Sequence, residues 1–226
     1  MYQLFIANKN YSSWSLRPWV LMRQFEIPFE EKLVPFGGPD DFHSFSPTGK
    51  VPCLIDDQTV VWDSLAIIEY LAEHHPGIWP ADSSLRAWSR CAAAEIHSGF
   101  FDLRGICTMN CGVRVKLKAF PAGLKNDLAR IDTLWNEGLA RCGGPFLAGP
   151  VFTAVDALFA PVAFRIQSYG LALSPPARQY VDRMLALAPL QAWYAAALAE
   201  PWRDTEHEAE LAQVGTVLED LRTPCK

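Results

Sequence analysis

Between His75 and Asp82 the chain reads His-Pro-Gly-Ile-Trp-Pro-Ala-Asp, and the residue pattern before this break differs in kind from the pattern after it. Two prolines and a glycine this close together stop a helix and cannot lie in a central strand, so the stretch reads as a boundary. Before it, short apolar runs alternate with helical spacing. Residues 2–7 suit a buried strand ending in Asn8-Lys9-Asn10. Leu16, Trp19, Val20, Met22 and Phe25 then fall near helical spacing. Because Pro18 is expected only in a first turn, the helix start is placed at residues 14–17, just after Ser12-Ser13. Residues 29–34 read as a second strand, Gly37-Gly38-Pro39-Asp40 as a loop, and residues 42–45 as a short segment. Residues 52–62 read as two strands around Asp56-Asp57-Gln58, and Asp63-Ser64 opens a helix to about His74.

After the break, Ala-rich and Leu-rich helical patterns run over residues 84–201, punctuated at Pro121, Gly143-Gly144-Pro145 and Pro175-Pro176. No strand-like alternation stands out there. The tail from Arg203 is acidic, with one further helical stretch expected around residues 209–221. The expectation is an α/β domain of thioredoxin size over 1–76, a linker over 77–84, and an all-helical domain over 85–226.

With 226 residues, 50% hydrophobic and 20% charged, the chain has the make-up of an ordinary globular protein with ample core. A net charge of −5 and the lack of a basic cluster argue against nucleic-acid binding. No apolar run reaches the length of a membrane span, and the N-terminus lacks the basic start and cleavage site of a signal peptide. A cytoplasmic protein is expected. Its six cysteines contain no C-x-x-C pair and read as free thiols. Cys107 and Cys111, four apart, would share a helical face, and no histidine nearby completes a metal set.

Asp63-Ser64 is the most suggestive pair. An acid and a hydroxyl opening an amphipathic helix can hold a small charged group, because the free N–H groups and the dipole there favour anions. Lys50-Val51-Pro52 lies just upstream, where a Val-Pro step can expose backbone for pairing with a peptide. Together they suggest a pocket for a peptide-like ligand carrying an ammonium and carboxylates. Read alone, Asp63-Ser64 fits an ordinary helix cap better than a ligand site, and Lys50 a solvated surface charge.

Four segments carry a more specific signal: Ser12-Ser13-Trp14-Ser15, the run from Ser46 to Pro52, the run from Asp63 to Leu71, and Phe146-Leu147-Ala148-Gly149 with Thr153-Ala154-Val155-Asp156. In this order and spacing they resemble the glutathione transferases over nearly the whole chain. The resemblance is closest to the zeta class (maleylacetoacetate isomerase-like) and related bacterial enzymes. It implies a cytoplasmic homodimer that binds glutathione as cosubstrate without a metal and adds it to a small electrophile, a detoxifying chemistry, or uses it to isomerise an acidic substrate.

By that resemblance a serine at the first helix holds the glutathione thiol as thiolate. The zeta pattern aligns Ser12 with this role, whereas counting back from Arg17 favours Ser13; Ser13 is taken first, Ser12 second and Ser15 third. Each is also a natural helix cap. Tyr11 remains an alternative donor, since several classes use tyrosine. The resemblance further implies a cis Val51-Pro52 bond, pairing of the Val51 backbone with the cysteinyl portion, Lys50 at the glycyl carboxylate, and Asp63 and Ser64 at the γ-glutamyl end. Most members carry Glu or Gln where this chain has the shorter Asp63.

The second substrate is expected between the domains, against Trp14, Phe100, Leu103, Arg104, Met109 and Asn110. Arg104 and Arg114 suit an acidic cosubstrate, and His97 reads as a packed residue rather than a base. Thr153 to Asp156 reads as a capping box with a folding role. Glutathione-dependent reduction is disfavoured because the Ser12–Ser15 segment has no cysteine and Cys53 lies in a strand. A non-catalytic glutathione-binding protein is the rival from another class.

Overall fold

The computed structural model describes residues 1–38 and 41–224; Pro39 and Asp40 of the expected loop, and Cys225, lie outside the described residues. A four-stranded sheet is built from β1 (Tyr2–Ile6), β2 (Phe29–Leu33), β3 (Cys53–Asp56) and β4 (Thr59–Trp62), in the order β2-β1-β3-β4. β1 and β2 run parallel, joined across α1 (Ser13–Gln24), while β3 is antiparallel to both β1 and β4. The period of two in β1 explains its faces. Leu4 and Ile6 are fully buried, and Phe5, on the opposite face, stacks on Phe45 with ring centroids 4.2 Å apart. α2 (Ser64–His74) follows β4 and packs on α1.

The helix α1 begins at Ser13, earlier than Pro18 suggested, so that proline lies in the second turn and offers no N–H to the carbonyl of Trp14. Tertiary packing outweighs this loss, since every residue from Ser15 to Met22 is buried.

The remaining helices are α3 (Ser83–Ser98), α4 (Phe101–Ile106), α5 (Ala122–Cys142), α6 (Ala154–Tyr169), α7 (Pro175–Ala186), α8 (Ala188–Ala199) and α9 (Thr205–Val214). α6 is mostly apolar and almost wholly buried, which makes it the axis on which α1, α3 and α7 pack. Its start is fixed by Asp156, which is fully buried. One carboxylate oxygen accepts the Thr153 N–H at 2.9 Å and the Thr153 hydroxyl at 3.1 Å. The other accepts the Leu147 N–H at 3.1 Å and the Tyr180 hydroxyl at 2.9 Å.

Two sequence expectations need correction here. The helical region contains a two-stranded antiparallel ribbon, β5 (Val113–Leu117) with β6 (Gly215–Asp220), and the tail helix gives way to strand at Gly215. Val113 and Val115 are buried between the outward Arg114 and Lys116, a period of two hidden by its brevity and by a partner strand a hundred residues away. Cys107 and Cys111 do not share a helix either. Cys107 ends α4, and Cys111 lies in the turn before β5 with its thiol directed to the Lys9 carbonyl.

The helical region also holds the loop that leads into α1. The buried Glu200 carboxylate accepts the Lys9 N–H at 2.6 Å and the Asn10 N–H at 3.2 Å, and Trp193 donates to the Lys9 carbonyl at 2.8 Å. Asn10 exchanges further bonds with Asn110 and with the Gly112 N–H. Residues 8–12 are thereby fixed by partners far along the chain, and with them the direction of the α1 N-terminus.

Candidate active site

Two adjoining cavities open at the N-termini of α1 and α2. The smaller, about 430 Å³, is lined by Thr48, Lys50, Val51, Pro52, Trp62, Asp63, Ser64 and Trp14. The larger, about 540 Å³, includes Ser12, Ser13, Trp14, Arg17, Lys50, Val51, Arg104 and Arg165 in its wall. Trp14, Lys50 and Val51 belong to both, so the two spaces communicate past the indole.

In the smaller cavity Asp63 caps α2, its Oδ1 accepting the Leu65 N–H at 2.8 Å. Its Oδ2 faces Nε2 of His97 at 3.6 Å. Burial, with Arg17 and Arg104 nearby, lowers the His97 pKa against the opposing pull of Asp63. The ring is therefore neutral near pH 7, and the approach is not an ion pair. Ser64 is 1% exposed and its hydroxyl has no hydrogen-bond partner among the described residues. A buried orphan hydroxyl at a helix N-terminus is costly unless a ligand uses it, and an anion fits there. The Val51-Pro52 bond is cis, and neither the N–H nor the C=O of Val51 has a hydrogen-bond partner among the described residues.

At the larger cavity the serines differ. Ser12 stands at the N-cap position of α1 without capping it; its hydroxyl lies 2.7 Å from that of Ser15, which also accepts the Ala7 N–H. Ser13, the first helical residue, lines the cavity and makes no side-chain hydrogen bond among the described residues. Tyr11 is committed elsewhere. Its hydroxyl donates to Glu208 at 2.8 Å and accepts from Arg222 at 3.2 Å. Burial and the hydrogen bond to Glu208 push its phenol far above the usual tyrosine value.

Three arginines converge on the same space. Arg17 is 3% exposed, stacks 4.1 Å from the Trp14 ring, and has no partner for Nε or Nη1. Burial, reinforced by Arg165 and Arg104 and opposed by Asp63, pulls its pKa down to about 9. Arg165 donates Nε to the Cys107 carbonyl at 2.7 Å, and burial lowers it to about 10. Arg104 donates to the His97 carbonyl at 3.1 Å and lies 5.0 Å from the Trp14 ring. Met109 also lines the cavity, with Phe36, Phe42 and Phe101 adding aromatic wall. Phe100 is not among the lining residues. It is the left-handed residue before α4, with its side chain turned into the core, so Phe101 occupies the cavity side. Leu103 is core, Asn110 is bonded to Asn10, and Arg114 donates to the Cys111 and Val113 carbonyls away from the cavity.

Arg165, His207 and Glu210 are cavity residues that the sequence reading did not single out. Arg165 had a readable signal, the one basic residue in a mostly apolar helix. His207 and Glu210 on α9 had none.

Residues 11–74 match the family model described as the glutathione S-transferase N-terminal domain. Over these residues, about the first third of the chain, the sequence is similar to that of glutathione transferases. The chain is 27% identical over 213 residues to maleylacetoacetate isomerase of Rattus norvegicus, covering 88% of this chain and 92% of that one. It is 24% identical over 155 residues to a stringent starvation protein A homolog of Haemophilus ducreyi, covering 67% of this chain and 69% of the relative. A glutathione transferase homolog from Burkholderia, crystallised with bound glutathione, superimposes with a TM-score of 0.66 at 22% identity, over 87% of this chain and 97% of that one. The glutathione transferase fold is therefore shared with these neighbours. No helix among the described residues is long and apolar enough to cross a membrane.

Proposed function

We propose that this protein is a cytoplasmic, homodimeric glutathione transferase of the serine type, which binds glutathione in the smaller cavity and presents its thiolate to an electrophile in the larger one. The observation that carries the reading is the Ser64 hydroxyl, buried and unpartnered at the N-terminus of α2, in a cavity shared with Asp63 and Val51. The γ-glutamyl carboxylate would take that hydroxyl and the helix N–H groups, and its ammonium the free Oδ2 of Asp63. The open peptide groups of Val51 suit the cysteinyl portion, and Lys50 the glycyl carboxylate.

This pose directs sulfur past Trp14 toward the start of α1. The free hydroxyl of Ser13 supports it as the donor over Ser12, whose hydroxyl is engaged with Ser15. A hydrogen bond to the charged form lowers a thiol pKa, as does a helix N-terminus. The thiol proton leaves to solvent, and the sulfur lone pair forms the new bond to carbon. The leaving group departs with its electron pair, or, on addition to a double bond, the displaced pair is protonated.

Arg104 and Arg165 favour a specific second reading, in which the electrophile is acidic and the adduct is reversed after bond rotation. That is a glutathione-dependent isomerisation, in keeping with the name of the rat relative. Calorimetry with glutathione, followed by turnover with neutral and acidic electrophiles, tests both. Binding with no turnover on any of them would leave a non-catalytic glutathione-binding protein, and no binding at all would refute the whole reading.

A further inference from the structure

Arg17 is a buried cation whose Nε and Nη1 find no hydrogen-bond partner among the described residues. No carboxylate lies within ion-pair distance of it among the described residues. The groups around it come from five elements. Asp63 at the head of α2 is the one acid that acts favourably on it, Arg104 on α4 and Arg165 on α6 repel it, and His97 on α3 is neutral near pH 7. Lys50, before β3, adds a further positive charge to the shared wall. Burying a charge this way is costly, so the arrangement persists only if something else requires it.

The helix geometry indicates what that is. Arg17 follows Ser13 by four residues, so the two share a face of α1, and helical side chains lean toward the N-terminus over the preceding turn. Both residues line the larger cavity. Trp14 holds the guanidinium from one side by stacking at 4.1 Å, which leaves it fixed but not neutralised.

We propose that Arg17 is a catalytic residue whose guanidinium is the resident countercharge for the glutathione thiolate formed beside Ser13. The proposal rests on the glutathione reading above. It assigns the missing hydrogen-bond partner of Arg17 to the ligand's sulfur and divides the work: Ser13 donates a hydrogen bond, and Arg17 supplies charge. An opposite charge at contact distance shifts a pKa by about 1–2 units even after screening, which is a ten- to hundredfold change in thiolate below the midpoint.

The test uses the full chain with Arg17→Met and Arg17→Lys. Binding of S-methylglutathione, which has no ionisable thiol, is measured by calorimetry, and the thiolate of bound glutathione is titrated by ultraviolet absorbance. Expected are S-methylglutathione affinities within about twofold of wild type in both variants. The thiolate midpoint should rise by about 1–2 units in Arg17→Met and by no more than half that in Arg17→Lys. Arg17→Met should also unfold at no lower temperature than wild type, since it removes an unpaired buried charge. An unshifted midpoint, lost S-methylglutathione binding, or a large loss of stability in Arg17→Met would each overturn the proposal. Failure of wild type itself to bind S-methylglutathione would instead remove the glutathione reading, and the proposal with it.

Discussion

The Tyr11 hydroxyl donates to Glu208 at 2.8 Å, joining the loop before α1 to the C-terminal helix across 197 residues of sequence. Arg222 completes the knot, donating to the same carboxylate and to Asp220. Burial works against the ionised Glu208, but the hydrogen bonds from Arg222 and Tyr11 outweigh it and hold the carboxylate below its usual range. A phenol tied to an anion and raised in pKa is a poor donor to a second anion. Tyr11→Phe is therefore expected to leave the thiolate midpoint of bound glutathione unchanged while lowering stability by about 1 kcal/mol, read from the denaturant midpoint. A raised thiolate midpoint would return Tyr11 to the reaction.

Ser64→Ala removes a buried hydroxyl that has no partner among the described residues. Stability should stay level or rise slightly, because nothing within the fold loses a bond. Glutathione affinity should fall about tenfold or more, the usual worth of a hydrogen bond to a charged group. Calorimetry beside thermal unfolding separates the two effects; equal affinity in the variant would empty the γ-glutamyl assignment.

Asp156 is expected to matter for folding alone. Asp156→Ala strands the Leu147 and Thr153 N–H groups and the Tyr180 hydroxyl, at a cost of about 3–5 kcal/mol in denaturant unfolding. Burial, opposed by these hydrogen bonds, raises its carboxyl to about 6, above the unfolded value. A raised folded pKa means its contribution is fully present below about pH 4 and lost as pH rises through about 6. Relative to Asp156→Asn, wild type should therefore lose about 2–3 kcal/mol across that window, and a flat difference would contradict the assignment.

The arginines predict substrate charge. Between two electrophiles that share a reactive group, one neutral and one bearing a carboxylate, the acidic one should show the higher kcat/KM. Arg165→Met should reduce that preference about tenfold or more while leaving glutathione affinity alone. Equal rates for the pair in wild type would remove the acidic-substrate reading.

What was legible in the sequence was local. The strand and helix order up to His74, the pairing of β3 with β4, and the helix opened by Asp63-Ser64 all follow from periods and turn residues a few positions apart. Lys50, Val51, Asp63 and Ser64, read as one ligand site, line one cavity. What escaped depends on long-range packing. Glu200 fixes the serine loop from 191 residues away, β6 pairs with β5 across the whole helical region, and α9 brings His207 and Glu210 to the cavity. Arg17 was visible as a residue, but its lack of a partner exists only once Arg104 and Arg165 have been packed around it.

The central claim is that Ser13, at the start of α1, holds the glutathione sulfur as a thiolate. Titrating the ultraviolet thiolate absorbance of bound glutathione in wild type, Ser13→Ala and Ser12→Ala tests it most directly. The wild-type midpoint should lie at least about one unit below the roughly 8.5 of a free thiol, Ser13→Ala should raise it by about a unit or more, and Ser12→Ala should change it less. A wild-type midpoint at the free-thiol value, or one that neither serine variant moves, would contradict the account.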